Sequence, residues 1–377
     1  MTARIRPSSC GAALRVVSPV LSVNRLRFLT WSAHQVPDSS FMDTLPTRRL
    51  GRSGLMVSAV GLGCWPIGGA MAAGDQPLGY TGVDDAESRR ALARAADLGV
   101  TLFDTADAYG AGHSERMLGE AFGDRPGILI ATKFGNTIDE DRRQLTGQDN
   151  SPGYVRQAVQ ASLRRLRRDT VDLYQLHTPP GTAAETEDLL AVLEDLVQQG
   201  LVRWYGISSD DPEVADRFAA GPHCTAVQVE LNVLGGRTPA VGVCERHDLA
   251  VLGRSPLAMG LLSGRWAAGT ARLPADDVRG TQPEWLKWFA DGQPVPEFLE
   301  AVEAVRDVLT SDGRSLAQGA LAWSWAASPL SVPLPGFRTI GHVESTVAAL
   351  SYGPLSDEQF AAVEAALGRP VPAGAIR

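Results

Sequence analysis

The sequence predicts an α/β protein, a (β/α)8 barrel whose floor is closed by an N-terminal β-hairpin. Three observations predict it. Short apolar runs alternate with amphipathic stretches eight times, and such runs read as buried parallel strands with crossover helices between them. The rival open, doubly wound sheet lacks its fingerprint. Gly61-Leu62-Gly63-Cys64-Trp65-Pro66 is the nearest approach to GxGxxG, it ends in proline, and no phosphate-binding GxxxxGK[ST] motif exists. Finally, polar residues stand just downstream of the strand runs, at the end of a parallel barrel where active sites lie.

Thr47 to Gly51 and Leu55 to Ser58 flank Arg52-Ser53-Gly54, two extended runs around a turn, which reads as the hairpin. The first barrel strand is predicted over 59–63. Asp84-Asp85 can cap a helix whose apolar face is Ala91, Leu92, Ala95 and Leu98, and Gly99 stops it. Strands follow at 100–103, 128–132, 171–176, 202–207, 225–230, 249–253 and 332–334. Helices are expected near 114–122, 152–167, 185–199, 212–219, 238–247, 297–310, 315–327 and 342–350. Regular alternation of this kind implies right-handed crossovers in one parallel sheet. The barrel is expected over residues 45–355, with a C-terminal helix and tail over 356–377.

The chain is 377 residues long, enough for one large domain or two ordinary ones. Its hydrophobic content of 44% and charged content of 21% are those of a soluble globular protein. A formal net charge of −8, with no basic stripe, argues against a nucleic-acid partner. No apolar run approaches the roughly 20 residues that span a bilayer. Cys10, Cys64, Cys224 and Cys244 form no CxxC pair, and the six histidines form no HExxH. The expectation is a reduced, cytoplasmic protein without a metal site. The first 37 residues carry Arg4, Arg6, Arg15, Arg25 and Arg27 but no acidic residue. That composition suits a transit peptide. Poor helical periodicity and interrupting prolines favour instead a disordered extension over 1–44, with Met42 resembling an ordinary start.

Four polar residues carry the chemistry. Asp104 follows the run 100–103, Lys133 follows 128–132, His177 follows 171–176, and Tyr109 lies just beyond Asp104. A free phenol has a pKa near 10, too high for proton exchange near neutrality, and a nearby ammonium is expected to lower it. Lys133 can supply that charge, Asp104 can keep it, and His177 can donate a hydrogen bond to a reacting oxygen. Singly, each reads as well as a loop cap or surface residue; together they read as a proton-transfer site.

Phe103 to Gly110 (FDTADAYG), Ala131-Thr132-Lys133 and Leu173-Tyr174-Gln175-Leu176-His177 resemble the Asp, Tyr, Lys and His motifs of the aldo-keto reductase superfamily, in order and spacing. The resemblance covers roughly residues 45–351. It implies hydride transfer between a nicotinamide and a carbonyl carbon without a metal. Tyr109 would be the proton donor, Lys133 and Asp104 would assist it, and His177 would orient the carbonyl. It also implies the cofactor contacts. Ser208 and Ser209 would lie under the nicotinamide and Gln228 would bond its carboxamide. Ser255, Pro256, Leu257, Gly260, Leu262 and Gly264 would fold over the pyrophosphate, and Gly336, Arg338 and His342 would hold the adenosine phosphate. Each has a plainer reading: loop turns for the glycines, a helix cap for the serines, a core amide for Gln228, a solvated surface arginine for Arg338. The family's usual asparagine is Ser209 here, and its adenine-holding glutamate and asparagine are replaced, the aligned positions being His342, Ser345 and Thr346. Arg338 still implies NADPH, with NADH as the alternative.

Three long loops would select the substrate, an aldehyde, ketone or sugar: Trp65 to Tyr80, Asn136 to Ser151, and Arg265 to Val295. Trp65 reads as a pocket wall beside Tyr109 and His177. Trp266, Trp285, Trp288 and Phe289 read equally as an apolar lid or as anchors of the insertion. The chain is expected to act as a monomer or weak homo-oligomer. The alternative to a reductase, or to the same chemistry run oxidatively, is a noncatalytic nicotinamide-binding regulator of the same fold.

Overall fold

Eight strands alternate with helices in the predicted order: β1 (Leu62–Gly63), β2 (Leu102–Asp104), β3 (Leu129–Phe134), β4 (Val171–Leu176), β5 (Val202–Ser208), β6 (Cys224–Glu230), β7 (Ala250–Arg254) and β8 (Ser331–Pro333). The computed structural model describes residues 45–266, 271–281 and 283–371. The extension expected over 1–44 and the tail beyond 371 lie outside the described residues. Neighbouring strands pair in parallel and in chain order. The last strand meets the first: the Gly61 and Gly63 amides donate to the carbonyls of Pro333 and Pro335, each at 3.0 Å, and Gly63 bridges Gly336. The sheet thereby closes into a barrel.

The period-two alternation of a strand sorts its side chains. Leu102, Ala131, Leu173, Ala226, Ala250, Leu252, Val332 and Leu334 form one cluster, the lower barrel interior. Phe103, Ile130, Tyr174, Leu176, Ile207, Val227 and Val251 belong to the larger cluster shared with the helices. One step further along the inward parity come Asp104, Lys133, Gln175 and Gln228, all buried. The interior thus changes from apolar to polar toward the carboxyl ends of the strands.

The helices surround this sheet: α1 (Asp85–Asp97), α2 (His113–Phe122), α3 (Pro152–Leu166), α4 (Ala183–Gln198), α5 (Pro212–Ala219), α6 (Ala240–His247), α7 (Pro296–Leu309), α8 (Leu316–Ala327), α9 (Ile340–Ala348) and α10 (Asp357–Ala366). Several of their starts follow capping chemistry. Asp84 accepts the amides of Ala86 and Glu87, Asp211 those of Glu213 and Val214, and Thr182/Glu185 and Ser315/Gln318 form reciprocal capping boxes. Outside the barrel, α10 packs on α8, with Phe360 stacked on Trp323 and Glu364 accepting its indole N–H at 2.9 Å.

The hairpin Thr47–Arg49/Met56–Ser58 closes the floor. Leu50 and Val57 join the lower interior cluster, while Thr225 Oγ1 accepts from the Ser53 amide and donates to the Leu50 carbonyl. Gly51 permits the approach: it sits at φ 51°, and a Cβ there would lie 2.1 Å from the Thr225 carbonyl oxygen. Leu50→Ala is expected to cost about 2–5 kcal/mol of unfolding free energy in a urea titration. A loss under 1 kcal/mol would mean that the plug contributes little.

A small sheet was not legible in the sequence. Gln76–Pro77, Ala72–Ala73, Gln144–Gln148 and Asn136–Asp139 form, in that order, a second sheet that joins the loops after β1 and β3. Its strands are two to five residues long and largely polar, so they carry no apolar alternation to detect.

Candidate active site

Asp104 ends β2, Lys133 lies one residue before the end of β3, and His177 follows β4. The parallel register sets these ends side by side, with Gln175 opposite Lys133. Tyr109 reaches them from the turn between β2 and α2, where its amide donates to Ala106 O at 3.2 Å. The Lys133 ammonium is fully buried and makes three contacts: Asp104 Oδ2 at 2.6 Å, the Thr105 carbonyl at 2.8 Å and the Tyr109 hydroxyl at 3.2 Å. These match its three N–H donors. Asp104 Oδ1 accepts from Gln175 Nε2 at 3.0 Å and Gln228 Nε2 at 2.8 Å. The His177 ring stands edge-on to the Tyr109 ring, with centroids 5.8 Å apart.

Electrostatics sets the protonation states. Burial works against the Lys133 ammonium, but Asp104 and Tyr109 outweigh it, and its pKa lies above the ordinary lysine value. Burial raises the Tyr109 phenol; Lys133 pulls the other way and is outweighed. This corrects the expectation that Lys133 brings the phenol below its usual value: burial of the whole ring, which the sequence does not display, is the larger effect. Burial, then the charges of Lys133 and Arg254, push His177 down to about 3, so its imidazole is neutral. A protonated phenol and a neutral imidazole beside a fixed ammonium can deliver a proton to an oxygen and stabilise what is left behind.

The residues expected at a cofactor occupy the ends of β5 to β8, one continuous arc of the rim. Ser208 ends β5, and Ser209 Oγ accepts the Asp211 amide at 3.2 Å, the local turn of its plainer reading. Gln228 Nε2 contacts both Asp104 and, at 3.4 Å, Gln175 Oε1; what this side chain can still offer a ligand is Oε1. Ser255 to Gly264 forms a tight loop in which Leu257 O accepts the amides of Gly260 and Leu262. Three of its non-glycine residues, Ser255, Ala258 and Met259, hold φ between 46° and 53°, a conformation kept where the surroundings enforce it. Pro256 and Leu262 are buried, so a contact from Leu262 would be made by its backbone. Gly336 bridges Gly63 at the barrel seam. Arg338 stands before α9, its guanidinium donating to Thr81 O at 2.8 Å and its amide to His342 Nδ1 at 3.3 Å.

Two arginines that sequence reasoning missed join this end. Burial and then Arg279 lower the Arg338 pKa; burial, Arg279 and Arg338 lower that of Arg265; burial, Arg338 and Arg265 lower that of His342. Asp277 pairs with Arg279 through two contacts of 2.8 Å. Glu87 accepts the Ile340 amide at 3.0 Å and is itself paired with Arg90. Asp277 also attracts Arg265 and Arg338, but among the described residues neither forms an ion pair and the two repel one another, so a phosphate would relieve them. The residues present fit a phosphorylated dinucleotide.

Above the tetrad, Trp65 stacks on Tyr109 at 5.9 Å and meets Tyr80 edge-on at 5.2 Å. The insertion splits between its two readings. Trp266, Trp288 and Phe289 are buried anchors, with Trp266 donating to Gly260 O at 3.0 Å. Trp285 is 53% exposed and lies 5.8 Å from Trp65, at the mouth. Lys287 fastens the insertion to Glu230 at 2.7 Å. Sequence reasoning also missed Gln175, although it shares His177's face two residues upstream, and Asn136, whose Nδ2 lies 3.2 Å from His177 Nδ1.

A closed parallel barrel with a buried acid, amine, phenol and imidazole gathered at its carboxyl end is the arrangement of an enzyme. The model of the Aldo/keto reductase family matches residues 60–367. The chain is 30% identical over 315 residues to the aldo-keto reductase yakc [NADP(+)] of Schizosaccharomyces pombe, covering 81% of this chain and 87% of that one. It is 31% identical over 330 residues to the aldo-keto reductase str7 of Strobilurus tenacellus, covering 85% and 91%. Among solved structures, the glycerol dehydrogenase AKR11B4 of Gluconobacter oxydans superposes with a TM-score of 0.71 at 31% identity, covering 87% of this chain and 98% of that one. The chain belongs to the aldo/keto reductase family and is an oxidoreductase.

Proposed function

We propose that the protein is an NADP(H)-dependent reductase of aldehydes or ketones, sugars included. Tyr109 is its general acid in reduction and its general base in the reverse direction. The observation that carries this reading is the buried Lys133 ammonium held between Asp104 Oδ2 at 2.6 Å and the Tyr109 hydroxyl at 3.2 Å. When bound on the β5–β8 arc, the nicotinamide supplies the hydride that reaches the carbonyl carbon. Tyr109 then gives its proton to the developing alkoxide, and Lys133 stabilises the phenolate that remains. Asp104 keeps Lys133 charged, and Gln175 and Gln228 hold Asp104. His177 donates a hydrogen bond to the same carbonyl oxygen, and Trp65 shields it from water. Burial holds Tyr109 as a protonated phenol at neutral pH, the form a general acid needs.

The preference for the phosphorylated cofactor rests on Arg265, Arg279 and Arg338, in keeping with the NADP(+) in the name of the Schizosaccharomyces relative. Arg338→Ala is expected to weaken NADPH binding by about tenfold or more while NADH changes little. Equal losses for both cofactors, read as dissociation constants by fluorescence titration, would remove the 2′-phosphate assignment. A turnover panel of aldehydes, ketones and sugars with each cofactor in both directions tests the activity itself. Silence across the panel, with tight cofactor binding intact, would replace the reductase by a nicotinamide-binding regulator.

A further inference from the structure

We propose that Asn136 is a positioning residue: its side-chain amide fixes the tautomer of His177, so that the imidazole presents Nε2–H to the substrate oxygen. The inference rests on the reading of His177 as the carbonyl's hydrogen-bond donor. Asn136 Nδ2 lies 3.2 Å from His177 Nδ1. An amide nitrogen only donates, so Nδ1 must accept, and a neutral ring that accepts at Nδ1 carries its proton on Nε2. The ring is neutral because it is buried near Lys133 and Arg254. With no positive charge on the ring to supply a second N–H, the choice of tautomer decides whether the substrate oxygen meets a donor or a lone pair.

Asn136 is held firmly enough to enforce that choice. The Tyr154 hydroxyl of α3 donates to its main-chain carbonyl, and its backbone pairs with Gln148 in the small sheet. The preceding Gly135, at φ 113°, accepts the Asp149 amide at 3.0 Å, and a Cβ there would strike Thr178 Oγ1 at 2.3 Å. Thr178 is in turn cross-linked to Asn150, Oγ1 to Oδ1 at 3.0 Å and carbonyl to Nδ2 at 3.1 Å. The loops after β3 and β4 are thus one rigid mount for the imidazole. His177 itself is tied to β3 by its amide, which donates to Phe134 O at 2.8 Å.

The test uses the intact protein with 15N-labelled histidine, the His177 signals being assigned by their loss in His177→Ala. The expected result is a protonated Nε2 and an unprotonated Nδ1 that do not change between about pH 5 and 9, as a ring kept neutral by burial requires. In Asn136→Asp the new carboxylate is expected to draw a proton onto Nδ1. In Asn136→Leu the tautomer loses its bias. Carbonyl-reducing kcat/KM is expected to fall by up to about tenfold in Asn136→Leu, the worth of one hydrogen bond. It should fall further in Asn136→Asp, with NADPH dissociation constants unchanged in both. Simple damage to the loop would reverse that order, because Asp is isosteric with Asn and Leu is not. A proton on Nδ1 in the wild-type protein overturns the proposal. So does an unchanged Nε2–H tautomer and kcat/KM in both variants. The labelling experiment needs no turnover, so its failure is distinguishable from failure of the reductase reading, which the turnover panel decides.

Discussion

Tyr109→Phe is expected to lower carbonyl-reducing kcat/KM by about 10²–10⁴-fold, the usual contribution of a positioned acid. NADPH binding should stay nearly unchanged. The substitution removes one oxygen and leaves the ring, so the stacking on Trp65 and the edge contact with His177 persist. Lys133 loses a contact at 3.2 Å but keeps Asp104 and Thr105 O, so its charge stays paired. The loss is therefore chemical and should fall on kcat rather than on folding. Undiminished turnover in a steady-state assay would sink the assignment of Tyr109 as proton donor and send the search to another acid at the mouth.

Lys133→Met has the second large expected effect, and it falls on two quantities at once. Without the ammonium the phenolate has no counter-charge, and turnover is expected to drop by at least about 10²-fold. The same change strands the buried Asp104 carboxylate, and breaking a buried pair from one side costs about 3–5 kcal/mol. The two effects separate in the double variant Lys133→Met/Asp104→Leu, which removes both charges. Urea unfolding should return toward the wild-type midpoint while turnover stays lost. A double variant as unstable as the single one would mean that Asp104 is held by Gln175 and Gln228 for a reason other than pairing Lys133.

The barrel was legible because short, largely apolar runs recur between amphipathic stretches, and at one helix start the expected cap, Asp84, is the cap found. Asp104, Lys133 and His177 were legible because they interrupt that apolarity at the strand ends. What lay hidden has a physical cause in each case. Gln175 sits inside the run Val171–Leu176, where average hydropathy masks one inward-facing amide. Arg265 and Arg279 belong to an insertion without periodicity, and only folding carries them to Arg338. The direction of the Tyr109 shift depends on how much water the ring loses, a three-dimensional quantity. The split of the insertion into buried anchors and the exposed Trp285 is of the same kind: four aromatic side chains look alike until burial distinguishes them.

The small sheet over the mouth bears on redesign. Ala72–Ala73 pairs in parallel with Gln144–Gln148, so the loops after β1 and β3 share main-chain hydrogen bonds. Grafting a foreign loop after β1 would leave the loop after β3 with an unpaired edge, and the reverse holds too. Exchange of specificity between this protein and a relative must therefore move both segments together, as a single cassette with its own backbone register.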